Sequence, residues 1–200
     1  MRGGILINFN DYPILKNNIS TLKEASIDKH DLNDIKYMTY SERQAVNFDD
    51  VKRDYVEKLS LSEVPKSNDA LFLSKNNKLI FVEFKNGFMD KPKKFSVRKK
   101  IYDSIIILTD ILDIGVSRLR DEMEYILVYN ESINSDEEES LKKKQYLVQH
   151  SKAFDFFAKS VSQMANTEYV CYGISIFKNY CFSNVHTYTE AEFEDFLKHN

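Results

Sequence analysis

Residues 69–85, DALFLSKNNKLIFVEFK, restrict what this chain can fold into more than any other stretch. Two short apolar runs, at 70–73 and 79–84, flank a polar segment, the pattern of two buried strands joined as a hairpin. Three ionisable residues lie at the end away from the turn. Asp69 opens the first run, and Glu83 and Lys85 close the second. Charge buried among such neighbours is costly unless it is paired or bound to a metal.

Strand geometry groups these charges. Residues two apart on a strand share a face, so Glu83 and Lys85 project together. A three-residue loop of Lys75, Asn76 and Asn77 would pair Ser74 with Lys78, Leu73 with Leu79, Leu71 with Phe81 and Asp69 with Glu83. Facing Cβ atoms are then roughly 4.5–5.5 Å apart, and Asn77 suits the loop position that needs positive φ. A two-residue Asn-Asn turn would instead oppose Asp69 and Phe84 and scatter the cluster. Two carboxylates this close raise the pKa of one of them unless a cation intervenes. Mg²⁺ suits such a site, because it takes carboxylates, retained waters and substrate phosphates. A lysine beside them can transfer a proton or stabilise developing negative charge. The set suits metal-assisted hydrolysis of a phosphodiester.

Asp69, thirteen intervening residues and then Glu83-Phe84-Lys85 resemble the core motif of the PD-(D/E)XK nuclease superfamily, with Asn68 in place of the proline of its name. The resemblance implies that Asp69 and Glu83 bind Mg²⁺, with Mn²⁺ as a substitute, and that the backbone carbonyl of Phe84 joins them. It implies that Lys85 orients or activates the attacking water. It further implies a restriction-endonuclease-like αβββαβ core, a nucleic-acid partner with DNA ahead of RNA, and a homodimer as an option. Related nucleases often add an acid from a helix before the hairpin. Residues 41–59 predict that helix, opened by a Ser41/Gln44 capping box. Glu42 and Asp49 border its apolar face, Glu57 points away, and all three also read as solvated charges.

Beyond the Asn86-Gly87 turn, KPKKFSVRKK at 91–100 holds six basic residues in ten. Ser96 as an N-cap would place Arg98, Lys99 and Lys100 in the first turn of a helix striped by Val97, Ile101, Ile105, Leu108 and Leu112. Cations there oppose the helix dipole by roughly 0.3–1 kcal/mol each. A backbone phosphate would offset that cost, which makes the three candidate phosphate contacts; the plain alternative is a lysine-rich loop. Residues 123–129, MEYILVY, predict a central strand covered on both faces. Residues 136–164 predict a helix, 169–177 a strand with a return at 180–182, and Thr189 with Glu192 a capped C-terminal helix. In the first forty residues, 5–9 predict a strand, 13–25 a helix and 28–34 a loop.

The expected fold is therefore α/β, a mixed central sheet with helices on both faces. One domain spans 1–200, with residues 1–40 an extension packed on a 41–200 core. A formal charge of −3 disfavours non-specific coating of nucleic acid but allows a local basic surface. Cys171 and Cys181 lack CxxC spacing and point to a reducing compartment, the cytoplasm. Thr109 and Asp110 interrupt the longest apolar stretch, so no membrane partner is expected. The four histidines show no metal-binding spacing. Two alternatives compete with the nuclease: a catalytically inactive protein of the same fold acting as a binding, immunity or regulatory module, and a structural ion group at a sheet end.

Overall fold

The structure, a computed structural model, describes residues 7–28, 35–57, 59–134 and 169–200. Its frame is a six-stranded mixed sheet. The strands are β1 (Ile19–Thr21), β4 (Gln44–Asn47), β5 (Ala70–Leu73), β6 (Leu79–Lys85), β7 (Met123–Tyr129) and β8 (Asn184–Thr189), in that spatial order. The first three junctions are antiparallel, and β6–β7 and β7–β8 are parallel. Two short strands, β2 (Ile27–Asp28) and β3 (Lys36–Tyr37), pair separately. The sheet thus changes sense at β6, which carries the Glu83-Phe84-Lys85 sequence.

The hairpin has the predicted register, with Leu73 opposite Leu79 and Leu71 opposite Phe81. The Ser74 N–H donates to the Lys78 carbonyl at 2.9 Å, and Asn77 takes φ 60°. Alternation then separates two buried faces. Val46, Leu71, Phe81, Tyr125 and Leu127 face α4 (Lys91–Leu112), whose Val97, Ile101, Ile105 and Leu108 cover them. Ala70, Phe72, Ile80, Val82, Ile126 and Val128 face the other way, under Leu22 of α2 (Leu22–Ala25) and Phe193 of α6 (Glu190–His199), while the short α5 (Val116–Leu119) precedes β7 in the chain. Helices therefore cover both faces, as the apolar character of β6 and β7 requires. Burying one such Phe contributes roughly 1.5–3 kcal/mol.

Several expectations are corrected. Within 13–25, helix persists only at α1 (Pro13–Lys16) and α2; between them Ile19–Thr21 pairs with β4 as the sheet's edge. Leu15 and Leu22 are fully buried, Leu15 in the cluster beneath α4 and Leu22 in the cluster on the opposite face of the sheet. Residues 41–59 do not form one helix. Ala45 and Val46 alternate into the two cores as β4, and α3 (Phe48–Val56) starts only where the Asn47 side chain accepts the N–H groups of Asp49 and Asp50. Helix α3 thus falls between β4 and β5, whereas an αβββαβ order has its helix first. Helix α4 starts at Lys91, capped by Asp90, whose side chain accepts from the Lys93 N–H, with Pro92 in its first turn. Arg98, Lys99 and Lys100 therefore stand in its third turn, not at its N-terminus. Residues 169–177 are not a strand, because Tyr172 and Gly173 both take positive φ and a 3₁₀ turn follows at Ser175–Phe177. Residues 180 and 181 lie in a turn, Phe182 forms an isolated bridge with Lys178, and the last strand is β8. Residues 7 and 8 are irregular and Phe9–Asp11 is 3₁₀, so the strand expected at 5–9 is absent from its described part. Asp28 belongs to β2, while 29–34 and the helix expected at 136–164 lie outside the described residues. The Thr189–Glu192 capping box forms as expected. Among the described residues no helix is long and apolar enough to cross a membrane.

Candidate active site

The end of β5 is pinned on both sides. The Asn68 N–H donates to Ser104 Oγ of α4 at 2.8 Å, the Lys66 N–H donates to Asp103, and Ser67 Oγ donates to Asp49 of α3. This brings Asp69 to the carboxyl end of β6 without a formal Asp69–Glu83 rung. The ladder stops at Ala70–Val82. Asp69 gives its N–H to the Val82 carbonyl at 3.1 Å, and its Oδ2 accepts the Phe84 N–H at 2.6 Å. On a strand, N–H and C=O of one residue point to one edge. The Phe84 carbonyl therefore faces the same edge as Asp69.

The side chains meet as the spacing predicted, with one addition. Lys85 Nζ is 2.5 Å from Glu83 Oε1. Lys100 Nζ, reaching down from α4, lies 2.9 Å from Asp69 Oδ1 and 2.7 Å from Glu83 Oε1. The Glu83 side chain is 0% exposed. Neither ammonium approaches Oε1 with good hydrogen-bond geometry, and Oε2 has no partner among the described residues. The Tyr125 hydroxyl and the Asn68 side chain, also buried, likewise lack partners there.

The electrostatics follow from that burial. Loss of solvent raises the Glu83 carboxyl, Asp69 raises it further, and the two lysines oppose both. Burial alone would lower Lys100; Glu83 and Asp69 outweigh it and hold the ammonium well above the ordinary lysine value. Burial, then Glu83 and Asp69, push the Tyr125 phenol well up, which keeps it neutral.

The centre opens on a cleft of about 340 Å³. Asp69, Phe84 and Lys85 line it, with Asp49 from the start of α3 and Lys93 and Ser96 from α4. It lies outside the carboxyl end of β6, where the sheet changes from antiparallel to parallel.

Of the basic trio, only Lys100 enters the centre. Arg98 donates to the Gly173 carbonyl at 3.0 Å, and Lys99 pairs with Asp103 at 2.8 Å. Among the helix acids left open by the sequence, Asp49 reaches the cleft with its neighbour Asp50. Glu42 pairs with Lys23 instead, and Glu57 ends α3. The sequence did contain a signal for Lys100. Val97, Lys100, Ile101 and Ser104 follow the inward helical spacing, which puts a lysine on the covered face.

No three His, Cys, Asp or Glu side chains gather to hold a metal among the described residues. An ion here would rest on Asp69, Glu83 and the Phe84 carbonyl, with the remaining oxygens coming from water and substrate. That set is chemically suited to Mg²⁺, and the unpartnered Oε2 of Glu83 fits a missing positive ligand.

None of the family models, curated proteins or solved structures compared with the chain matches it. The fold and site define an α/β protein with a compensated acid–lysine centre beside a cleft.

Proposed function

We propose that this protein is a divalent-metal-dependent phosphodiester hydrolase of the PD-(D/E)XK type, acting on DNA in preference to RNA. The observation that carries the reading is the convergence of Asp69, Glu83 and Lys85 at the carboxyl end of β6, beside an open cleft. Asp69 and Glu83, with the Phe84 carbonyl, hold Mg²⁺ or Mn²⁺. The bound ion supplies Lewis acidity to the phosphoryl oxygens and lowers the pKa of a water. Lys85 is a fifth exposed and lines the cleft, so its ammonium orients the attacking water from the solvent side. Lys93 and Ser96 of α4 also line the cleft and meet the nucleic-acid backbone there. Cutting both strands of a duplex at the same time would take two copies of this centre. The buried Cys171 and Cys181 fit a reducing compartment such as the cytoplasm.

The test is incubation of purified protein with duplex DNA, single-stranded DNA and RNA in Mg²⁺, in Mn²⁺ and in chelator. Ion-dependent cleavage is expected, lost in Asp69→Asn, Glu83→Gln and Lys85→Gln while circular dichroism stays native. A protein inert on every substrate, with no Mg²⁺ or Mn²⁺ binding by calorimetry, overturns the reading.

One observation favours a second reading, an inactive member of the same fold that acts by binding. Lys85 and Lys100 together balance both carboxylates without any metal. That reading expects biological function to survive Glu83→Gln with Lys85→Gln, and to be lost on substitution of surface residues elsewhere.

A further inference from the structure

Lys100 is the least expected member of the centre. Its ammonium touches both acids, within 2.9 Å of Asp69 and 2.7 Å of Glu83, at the position between them. Its helix is fixed independently, because Val97, Ile101 and Ser104 on the same face of α4 are fully buried. The charged head can therefore leave by rotation of its four-carbon stem alone, without any movement of the helix.

We propose that Lys100 is an internal counter-cation that keeps the place of the divalent ion, so that ion binding is an exchange in which Lys100 Nζ leaves Asp69 and Glu83. The proposal rests on the hydrolase reading above. Charge balance carries it. Asp69 and Glu83 bring two negative charges, and Lys85 and Lys100 bring two positive ones. Adding a divalent ion to this neutral group would leave two net positive charges around a side chain with no solvent exposure. Withdrawal of Lys100 removes one of them, and the single negative charge of a phosphodiester removes the other. Ion and substrate phosphate thus bind cooperatively, and the ion alone binds weakly. Lys100 protects the two acids from standing uncompensated whenever the cleft is empty.

The experiment measures Mn²⁺ binding by electron paramagnetic resonance on the full chain, comparing the wild type with Lys100→Met and Lys78→Met. Lys78 pairs with Glu124 at the other end of β6 and controls for the loss of one positive charge. Lys100→Met is expected to bind Mn²⁺ about tenfold tighter or more, the scale of removing one adjacent unit charge, and Lys78→Met to match the wild type. If the wild type binds Mn²⁺ and Lys100→Met binds it no tighter, the exchange is overturned and the hydrolase reading stands. If no variant binds Mn²⁺, both fall. Because Lys100→Met leaves Glu83 short of a partner and can fail to fold, a second measurement uses the wild type. Lysine Nζ resonances are followed by NMR during a Mg²⁺ titration. The Lys100 signal is expected to move in step with ion binding; a signal unmoved once calorimetry shows the site filled overturns the proposal.

Discussion

The two faces of the sheet solve different problems with the same strands. Beneath α2 and α6, Ala70, Phe72, Ile80, Val82, Ile126 and Val128 form a dry layer closed by Phe193. Beneath α4, an equally apolar layer around Leu71, Phe81 and Leu127 gives way at one end to Asp69, Glu83 and Lys100. The change occurs within two residues of β6, between Phe81 and Glu83. An apolar layer gains from every buried methylene, whereas an ionic group roughly breaks even between desolvation and attraction. The charged end therefore adds little that stability alone would demand. The unpartnered Glu83 Oε2 and Tyr125 hydroxyl there are costs that apolar side chains do not incur.

This contrast makes the faces separable by substitution. The largest effect belongs to activity on the charged side. Asp69→Asn or Glu83→Gln should lower ion-dependent cleavage by about 10²–10³-fold or more, the usual scale for losing one preorganised electrostatic group, read in a nuclease assay. On the dry face, Phe72→Ala should cost roughly 3–5 kcal/mol in urea unfolding and leave Mn²⁺ affinity of the folded fraction unchanged. A Phe72→Ala protein that lost ion binding while still folded would show that the faces are coupled.

A smaller effect is the pH dependence of stability. Burial and Asp69 raise Glu83 above its ordinary 4.5 in the folded chain, so just above that pH the folded protein holds the extra proton. Stability should fall as pH rises through this window, and Glu83→Gln should flatten the slope, measured as urea midpoints. Lys100 acts at the other extreme. Its folded value lies above 10.5, so its contribution is complete below 10.5 and is lost only as pH climbs beyond it. The smallest effect tests the start of α6. Thr189→Ala removes the α6 capping box and should cost about 1 kcal/mol with cleavage unaffected.

Local pattern made much of this molecule legible. The hairpin register followed from alternation and from an asparagine suited to φ 60°, and β7 from an apolar run on both faces. The inward stripe of α4 followed from its 3.6-residue period. What escaped depended on competition between similar signals. Ser96 could cap a helix, but Asp90 followed by Lys91-Pro92 starts it earlier, and that shift of two turns moved Lys100 from a helix end to the buried centre. Strand β4 holds only four residues, too few to stand out within the helix expected over 41–59; the sheet claims it because β1 and β5 offer backbone partners on both edges. Strand β8, NVHTYT, alternates as a strand should, yet only Val185 and Tyr188 give it an apolar signal. The acid–lysine centre was three-quarters legible: Asp69, Glu83 and Lys85 came from strand spacing, and the fourth member crossed from another element.

The central claim is that Asp69, Glu83 and the Phe84 carbonyl form a divalent-ion site. Crystals grown with Mn²⁺ and a short DNA duplex, with data collected at the manganese edge, test it most directly. The account predicts an anomalous peak about 2.0–2.6 Å from those oxygens, the range of hard-cation coordination, with Lys100 Nζ displaced from both carboxylates. A map without that peak, and with Lys100 still bridging Asp69 and Glu83, would contradict it.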